Sequence, residues 1–335
     1  MSSLSAATIK NIQGYAAIVL MCGILIGTHL LSLTVFMLFF YLFTDVITRF
    51  IHRRVPVLSM PVLFAFVYLL FAGLLILAVV KLTPFFMADF TRYYELIKVD
   101  TLRLGSMINL HTGANIDFSD LRAYVFDEGS GAMAHVIKIL NGLSKGVIYF
   151  IFALVLNFLL FWEKSRIKST FTTASDSLLT HLFGFVYLRV TRFYTYFRRV
   201  MGGQVIISLI NTTISAVAIY SLNLPHKLSL IVIVFMCGLL PVVGNILSNT
   251  VLTVTALLST GLFAAVICLI LLVGIHKLEY FLNSKIIGTI IKLPMFVTLL
   301  ALLIGEALLG IWGMILALPF VLTLKDELES FRTEC

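Results

Sequence analysis

Acidic residues inside long apolar stretches are the first candidates for chemistry in this sequence. Glu306 stands between Gly305 and Ala307 in the middle of such a stretch. A carboxylate at that depth of a membrane is costly unless it faces a cavity, is paired or is protonated. Glu306 is therefore predicted to handle a substrate, an ion or a proton. The alternatives are a structural tie between helices and a position nearer the membrane interface.

Uncharged polar residues in two other apolar stretches offer oxygen atoms. They are Asn211, Asn245, Ser248 and Asn249. Amides and hydroxyls at such positions supply oxygen ligands for a cation or hydrogen bonds for a polar solute. Hydrogen bonding between neighbouring helices is the alternative for the asparagines.

Motifs for catalysis or ATP hydrolysis do not occur in the sequence. It contains no HExxH, GxGxxG or GxxxxGKS pattern, and its seven histidines are scattered. Cys22, Cys237 and Cys268 lie in apolar runs, and no CxxC or Cys/His cluster indicates a metal site. We therefore expect a protein that is not an enzyme and that uses no cofactor and no metal.

Helix-breaking residues interrupt the apolar stretch Leu228–Leu258, which is 31 residues long. Proline removes a backbone donor and glycine readily adopts non-helical dihedrals, so Pro241 and Gly244 disfavour a continuous helix. Each arm of about 13 residues measures about 20 Å, which is short for a hydrocarbon core of about 30 Å. We expect a re-entrant hairpin that enters from outside and turns near Pro241–Asn245. A kinked but continuous helix is the alternative.

The last apolar stretch, Leu293–Leu324, is interrupted in the same style. Proline lies near each end and three glycines lie in the middle, namely Pro294, Pro319, Gly305, Gly310 and Gly313. Two interrupted segments in one half of a membrane protein indicate a binding site in the middle of the membrane, as in secondary transporters.

The elements that must position these residues are membrane helices. Of the 335 residues, 60% are hydrophobic and 12% are charged, and the mean hydropathy is +1.07. Soluble domains are about 45–50% apolar and about 25% charged, which excludes a soluble enzyme, a nucleic-acid-binding module and a disordered or coiled-coil protein. The sequence predicts an all-α membrane protein with about eight hydrophobic segments. These are Ile12–Thr28, Leu30–Ile51, Pro61–Leu82, Gly146–Trp162, Gln204–Leu222, Leu228–Leu258, Gly261–Leu282 and Leu293–Leu324.

The distribution of basic residues predicts the orientation of these segments. The loop Arg49–Arg54 is basic, and Glu163–Gly203 contains seven basic residues against two acidic ones. Basic loops stay in the cytoplasm, so both segments and the N-terminus are predicted to be cytoplasmic and residues 83–145 extracytoplasmic. The lysines of Lys277–Lys292 are also cytoplasmic if the first interrupted stretch is a hairpin, which favours the hairpin. Asp45 is expected near the cytoplasmic interface, paired with Arg49.

Two polar segments are expected to form amphipathic helices. The periodicity of residues 83–145 is helical, and Glu163–Gly203 places aromatic residues on one face and arginines on or near the other. The second pattern is typical of a helix in the headgroup plane with its arginines on phosphates. The expected organisation is residues 1–82, N-terminal transmembrane helices; 83–145, extracytoplasmic segment; 146–162, transmembrane helix; 163–203, cytoplasmic amphipathic segment; 204–324, transport core with broken helices; and 325–335, tail.

Four runs in the C-terminal third resemble the autoinducer-2 exporter family of bacterial membrane proteins. They are GGQVIISLINTTISAVAIYSLNLP, GLLPVVGN, KLEYFLNSKIIG and KLPMFVTLLALLIGEALLGIWGMILALP. The N-terminal half agrees with the family only in layout. The family's proline-glycine turn maps onto Pro241 and Gly244, and its Gly-x-x-Gly-Met motif onto Gly310, Gly313 and Met314. This sequence departs from the family pattern at Asn245 and Glu306.

The resemblance implies an eight-segment permease without ATPase machinery. It further implies a bacterial inner-membrane protein that assembles as a homo-oligomer, a pentamer in this family. Members of the family have been assigned export of the signal autoinducer-2, and others sodium–proton antiport.

The leading hypothesis is a secondary transporter that exports a small polar solute, a signalling molecule or metabolite, by alternating access. Its expected partners are membrane lipids, the transported solute or ion and further copies of the chain, without nucleic acid. The alternatives are a sodium–proton type cation antiporter and a non-transporting membrane scaffold or regulator. The candidate pathway residues are Asn211, Pro241, Gly244, Asn245, Ser248, Asn249, Gly305, Glu306, Gly310 and Gly313.

Overall fold

The computed structural model describes residues 6–28, 30–56, 59–77, 80–81, 148–163, 166, 169, 178–241, 243–282 and 293–334. These residues form nine α-helices and no β-strand, so the all-helical class predicted from the sequence is confirmed for them. The expected amphipathic helices of residues 83–145 lie outside the described residues, as do residues 283–292 of the expected cytoplasmic lysine loop.

The helices follow the predicted apolar segments closely in the N-terminal half. They are α1 Ala6–Gly27, α2 Leu31–Arg54, α3 Met60–Leu77, α4 Ile148–Glu163, α5 Leu178–Ser221, α6 Lys227–Gly238, α7 Val243–Ser259, α8 Leu262–Leu282 and α9 Met295–Glu334. Within the described part of the chain, α2, α3, α5, α8 and α9 are long and apolar enough to cross a membrane.

Helix α5 joins two segments that the sequence analysis separates. The basic-aromatic stretch and the apolar segment from Gln204 onward form one uninterrupted helix of 44 residues, about 66 Å at the usual rise. The glycine pair Gly202–Gly203 does not end it, because buried residues on either side, Met201 and Gln204, anchor both parts of the helix in packed surroundings. Helix α9 has non-helical dihedrals at Gly310 and extends through the predicted C-terminal tail to Glu334.

The chain divides into two compact units. Unit 1 consists of residues 1–72, 149–206 and 281–335, and unit 2 of residues 73–148 and 207–280. In unit 1, Phe36 of α2 packs edge-on against Phe150 of α4 and Trp312 of α9, with ring centroids 5.9 and 5.2 Å away. Such aromatic pairs contribute about 0.5–1.5 kcal/mol each beyond the area they bury.

Side-chain hydrogen bonds to helix carbonyls also join the N-terminal helices of unit 1. The Tyr68 hydroxyl of α3 donates to the Leu154 carbonyl of α4. The Asn157 amide of α4 in turn donates to the Met37 carbonyl of α2 at 3.2 Å. Polar tethers of this kind hold helices together where the surrounding lipid is as apolar as the helix surfaces.

Ion pairs engage the basic face of α5 in unit 1. Arg189 and Arg192 bind Glu327 of α9, and Arg198 binds Asp45 of α2. Protein carboxylates therefore engage these three arginines, and their contact with lipid phosphates stays a prediction. The predicted pair of Asp45 with Arg49 is confirmed, at 2.8 Å between Oδ1 and Nε.

The core of unit 2 is an apolar cluster contributed by four helices and a connecting turn. Its buried members are Ile219 of α5, Leu224 of the following turn, Leu230 and Val234 of α6, Leu252 and Ala256 of α7, and Ala264 and Cys268 of α8. The connection from α7 to α8 is tight because Gly261 has a φ of +105°, which favours glycine. The Gly261 amide donates to the Ala256 carbonyl at 3.0 Å and so closes the end of α7.

Candidate functional site

The predicted break at Pro241 is present and divides the stretch Leu228–Leu258 into two helices. Helix α6 ends at Gly238 and α7 begins at Val243, and the two helices pack against each other. The Leu240 amide donates to the Cys237 carbonyl at 2.8 Å, a three-residue spacing that tightens the end of α6. The kinked continuous helix considered from the sequence is therefore not what forms here.

Glycine is required at two positions beside this turn. A Cβ atom built on Gly244 falls well inside 3.0 Å of the Cys237 carbonyl oxygen, and one built on Gly238 falls 2.6 Å from Ser208 Oγ. Ser208 of α5 donates its hydroxyl to the Phe235 carbonyl of α6 at 2.7 Å. Helices α5, α6 and α7 therefore meet at closest approach around the turn, which we call the Pro241 turn.

A chain of buried polar side chains starts beside the Pro241 turn. The Asn245 Nδ2 group donates to Glu279 Oε2 of α8 at 2.9 Å. Asn249 Nδ2 donates to both the backbone oxygen and Oδ1 of Asn245, and Ser248 donates its hydroxyl to the same backbone oxygen at 3.1 Å. All four side chains are at most 3% exposed. The structure therefore brings together three of the predicted residues and adds Glu279.

Sequence reasoning missed Glu279. The residue lies near the end of an apolar run and two positions after Lys277, a context typical of a membrane interface. The available signal was its spacing on α8, since Cys268, Ile275 and Glu279 repeat every four or seven residues and all three are buried.

Four oxygens of unit 2 are buried without a hydrogen-bond partner among the described residues. One is Thr212 Oγ1, on a half-buried side chain, and the others are Asn211 Oδ1, Ser215 Oγ and Asn249 Oδ1. The side chains of these last three residues are at most 4% exposed. Burying a polar atom without a hydrogen-bond partner costs about 1–3 kcal/mol of stability. A bound solute or water molecule that donates to these atoms would remove this cost. We call Asn211, Ser215 and Asn249 the polar layer.

Helical spacing locates the polar layer between the Pro241 turn and the apolar cluster. On α5, Ser208 touches the turn and Ile219 belongs to the cluster, with Asn211 and Ser215 on the same face between them. On α7, Asn249 lies between Asn245 and the cluster residue Leu252. Both helices therefore change from polar to apolar in the same direction through the interior of unit 2.

The second interrupted stretch is broken at Gly310 in unit 1. Gly310 has φ 60° and ψ −143°, well outside helical values. A Cβ atom built on Gly305 would lie 2.6 Å from the Gly313 carbonyl oxygen. Residues eight positions apart in an unbroken helix are about 12 Å apart. The chain must therefore reverse between Gly305 and Gly313, which places the predicted glycines at the closest contact of a second turn, the Gly310 turn.

Glu306 is not buried in this arrangement. Its side chain is exposed, and it makes no hydrogen bond or ion pair with the residues that the structure describes. The inner face of the second turn is occupied by Gly305, Gly313 and Ala317. Glu306 follows Gly305 in the sequence, so its side chain points away from this face. Glu306 belongs to unit 1, whereas the asparagines belong to unit 2, and it is not part of the polar layer.

No group of three or more histidine, cysteine, aspartate or glutamate side chains suited to a metal ion occurs in the described ranges. The site is thus defined by amide and hydroxyl oxygens and one carboxylate, beside a break between two apolar helices. These features describe a multi-pass α-helical membrane protein with buried polar side chains beside a helix break.

The family follows from comparison with known proteins. The family model described as AI-2E family transporter matches residues 15–333. The chain belongs to the AI-2E transporter family, as the C-terminal motifs predicted.

Individual relatives support the same assignment. "Putative transport protein YdbI" of Bacillus subtilis is 28% identical over 200 residues, covering 59% of this chain and 57% of the relative. A "Putative transport protein" of Thermotoga maritima is 27% identical over 207 residues, covering 60% and 61%. "Putative transport protein YrrI" of Bacillus subtilis is 31% identical over 139 residues, covering 39% and 38%. The matches span less than two thirds of each relative.

Proposed function

We propose that this protein is a secondary transporter of the bacterial inner membrane that exports a small polar solute by alternating access, as a homo-oligomer. The observation that carries the proposal is the polar layer, where Asn211, Ser215 and Asn249 keep buried oxygens without partners. A bound solute that donates hydrogen bonds relieves their desolvation cost, whereas an empty dry layer does not. The preferred solute is therefore small, uncharged and rich in hydroxyl or amino donors.

In this proposal the Pro241 turn is the tip of a re-entrant hairpin that acts as a gate. Non-helical backbone at membrane depth is tolerated where it is shielded by protein or lines a wet cavity, and here it lies next to the polar layer. Gly238 and Gly244 let α5, α6 and α7 close tightly around it. The Gly310 turn, with Gly305 and Gly313, is proposed as a second gating element, with the exposed Glu306 beside it.

Glu279 is proposed to couple transport to protons in place of Glu306. With the carboxylate ionised, the Asn245 nitrogen donates to Glu279 and the Asn249 nitrogen donates to Asn245, which leaves the Asn249 oxygen for the solute. A proton bound at Glu279 Oε2 makes that oxygen a donor, so the Asn245 amide must turn over and the Asn249 amide must follow. The polar layer then presents the Asn249 nitrogen, a donor, where it had presented the Asn249 oxygen, an acceptor. The solute loses this hydrogen bond and is released.

The test begins by comparing metabolites in cells that lack the protein and cells that overproduce it. The solute identified in this way is then used for flux measurements in proteoliposomes. We expect Asn249→Leu to lower the flux at least about tenfold, since it removes an acceptor and breaks the amide chain. The matched control is Thr250→Val, the next residue on α7, whose exposed hydroxyl bonds the Ile246 carbonyl. Glu279→Gln is expected to abolish the pH dependence of the flux.

Three results would count against this proposal. Unchanged metabolite levels would favour a non-transporting scaffold. Equal flux in Asn249→Leu and Thr250→Val would exclude the polar layer as the binding site. A pH dependence that survives Glu279→Gln would exclude this carboxylate from coupling.

A cation–proton antiporter is the second candidate. The observation in its favour is that the polar layer consists of oxygens, the ligands preferred by hard cations, with Glu279 one amide away from Asn249. Sodium-dependent proton movement in everted vesicles, lost in both Asn249→Leu and Glu279→Gln, would identify it. Export of a neutral solute without a sodium requirement would exclude it.

A further inference from the structure

Two threonine hydroxyls of α2 are buried in unit 1 without a hydrogen-bond partner among the described residues. They belong to Thr44, which is 0% exposed, and to Thr48, which is 3% exposed. A hydroxyl buried in this way costs about 1–3 kcal/mol of stability. The two threonines belong to a different unit from the polar layer, so they require an explanation of their own.

Threonines elsewhere in the described helices satisfy their hydroxyls locally. Thr191, Thr195 and Thr250 each donate to the backbone carbonyl four residues earlier, at 2.8–2.9 Å. This bond is the usual one for a threonine inside a helix. Thr44 and Thr48 do not make it. Their hydroxyls are therefore available to a partner outside the α2 backbone.

The face of α2 that carries Thr44 packs against α3. Phe40 and Tyr41 of α2 contact Phe71 and Phe64 of α3, with ring centroids 6.4 and 6.0 Å apart. At 100° per residue, Thr44 falls between the directions of Phe40 and Tyr41, about one turn further along α2. Thr44 is therefore turned toward the contact between the two helices, which accounts for its complete burial.

The spacing of the two threonines matches the span of one water molecule. Side chains four residues apart on a helix have Cβ atoms about 5–6 Å apart. A water oxygen about 2.8 Å from each of two hydroxyl oxygens spans about the same distance. Each hydroxyl can donate one hydrogen bond and accept others. A single water molecule can therefore bind both Thr44 and Thr48.

A third buried polar atom continues the row toward the end of α2. His52 Nδ1, four residues after Thr48, is also buried without a partner in the described part of the chain. The His52 side chain as a whole is half-buried, and Arg53 and Arg54 beside it in the last turn are exposed. We call Thr44, Thr48 and His52 the α2 row. It extends about 12 Å inward from the basic end of the helix.

We propose that the α2 row is a binding site for ordered water. One water molecule bridges the hydroxyls of Thr44 and Thr48, and a second bridges Thr48 to His52 Nδ1. Thr48 serves both, because its hydroxyl donates to one and accepts from the other. These bonds remove the cost of burying the three polar atoms. The row then carries water from the basic end of α2 into the aromatic interior of unit 1, independently of the proposed function.

A double-mutant cycle tests whether the two threonines share a water molecule. Thr44→Val and Thr48→Val remove the hydroxyls and nearly keep the side-chain volume. Each should lower the melting temperature of the purified protein by about 2 °C or more, because the shared water loses a partner. The double variant should lose little more than one single variant, since either change already releases the water.

Thr191→Val and Thr195→Val form the matched control cycle on α5. These threonines have the same spacing, and each hydroxyl bonds a backbone carbonyl rather than a shared partner. Their effects on the melting temperature should therefore add. The inference is wrong if the effects of Thr44→Val and Thr48→Val also add. It is equally wrong if either variant raises the melting temperature, which is the result for a hydroxyl buried without water.

Radiolytic footprinting gives a readout that does not depend on stability. X-ray pulses convert bound water into hydroxyl radicals, which oxidise the side chains beside it, and Tyr41 lies one turn before Thr44 on α2. Oxidation of Tyr41, followed by mass spectrometry, should fall severalfold in the Thr44→Val, Thr48→Val double variant. It should stay at the parent level in the control double variant and in Thr48→Ser, which keeps a hydroxyl. Unchanged oxidation in the Thr44→Val, Thr48→Val protein would overturn the proposal.

Discussion

Individual side chains around the Pro241 turn determine which polar groups are buried in unit 2. Glu279 and Glu306 are both acids in apolar helices, yet one is 3% exposed and bonded to Asn245 and the other is exposed. The two residues are both glutamates in apolar surroundings, so the sequence does not distinguish them. They differ in the side chains that lie around them in the structure. Of the two, the glutamate with an amide partner and almost no exposure, Glu279, is the one proposed for a coupling role.

At this scale we predict that Gly244→Ala destabilises the protein. Its new methyl group meets the Cys237 carbonyl oxygen, part of the backbone that cannot rotate away. Overpacking of this kind typically costs about 1–3 kcal/mol. A thermal unfolding scan in detergent should show a lower melting temperature.

Gly274→Ala on α8 is the control for that substitution, because nothing lies within 4 Å of its Cβ position. Its melting temperature should be unchanged or slightly higher, since alanine favours the helix by up to about 1 kcal/mol. Equal melting temperatures for the two variants would show that the close approach at Gly244 is not required.

At the scale of elements, the two interrupted stretches reverse by different devices. The Pro241 turn combines a proline with close packing at Gly244, whereas the Gly310 turn depends on a positive φ. Helix α5 shows the opposite behaviour, since it contains Gly202 and Gly203 and does not break. A glycine or proline in the sequence therefore interrupts a helix only where the surrounding packing favours the interruption.

We predict that Gly310→Ala costs about 1–3 kcal/mol, because a φ of 60° with ψ −143° is strained for any residue with a Cβ. No neighbour lies within 4 Å of that Cβ, so the cost is conformational and not steric. Chemical or thermal unfolding of the purified protein measures it. Gly202→Ala, helical and equally open in unit 1, should not be destabilised, and an unaffected Gly310→Ala would disprove the strain argument.

At the scale of the whole molecule, the outward surfaces of the described helices are apolar. Large side chains such as Phe66, Phe152, Phe263 and Leu303 are mostly exposed, as expected for contact with lipid rather than water. The family assignment agrees with this surface. Orientation then depends on the basic loops, which favour a cytoplasmic N-terminus.

This orientation predicts that the two ends of the proposed re-entrant hairpin face the same side. In a variant without native cysteines, Ser221→Cys before α6 and Thr260→Cys after α7 should both react with a membrane-impermeant maleimide from outside intact cells. Both positions are exposed. Arg54→Cys at the end of α2 is the control and should react only in inverted vesicles. Reaction of Ser221→Cys and Thr260→Cys from opposite sides would mean that α6 and α7 cross the membrane once.

The sequence by itself determined the helical class, the apolar segments, the break at Pro241 and the family, because each depends on local composition or on a short pattern. It also gave Asn211, Asn245, Ser248 and Asn249 as candidates, since polar atoms in an apolar run are conspicuous, and all four are buried. Only the tertiary structure decided which of Glu279 and Glu306 is buried, at which glycines a Cβ atom has no room, and which carboxylates bind the arginines of α5. These depend on the side chains that residues far apart in sequence bring within a few ångströms, as Glu327 and Arg189 do, and no local pattern specifies them.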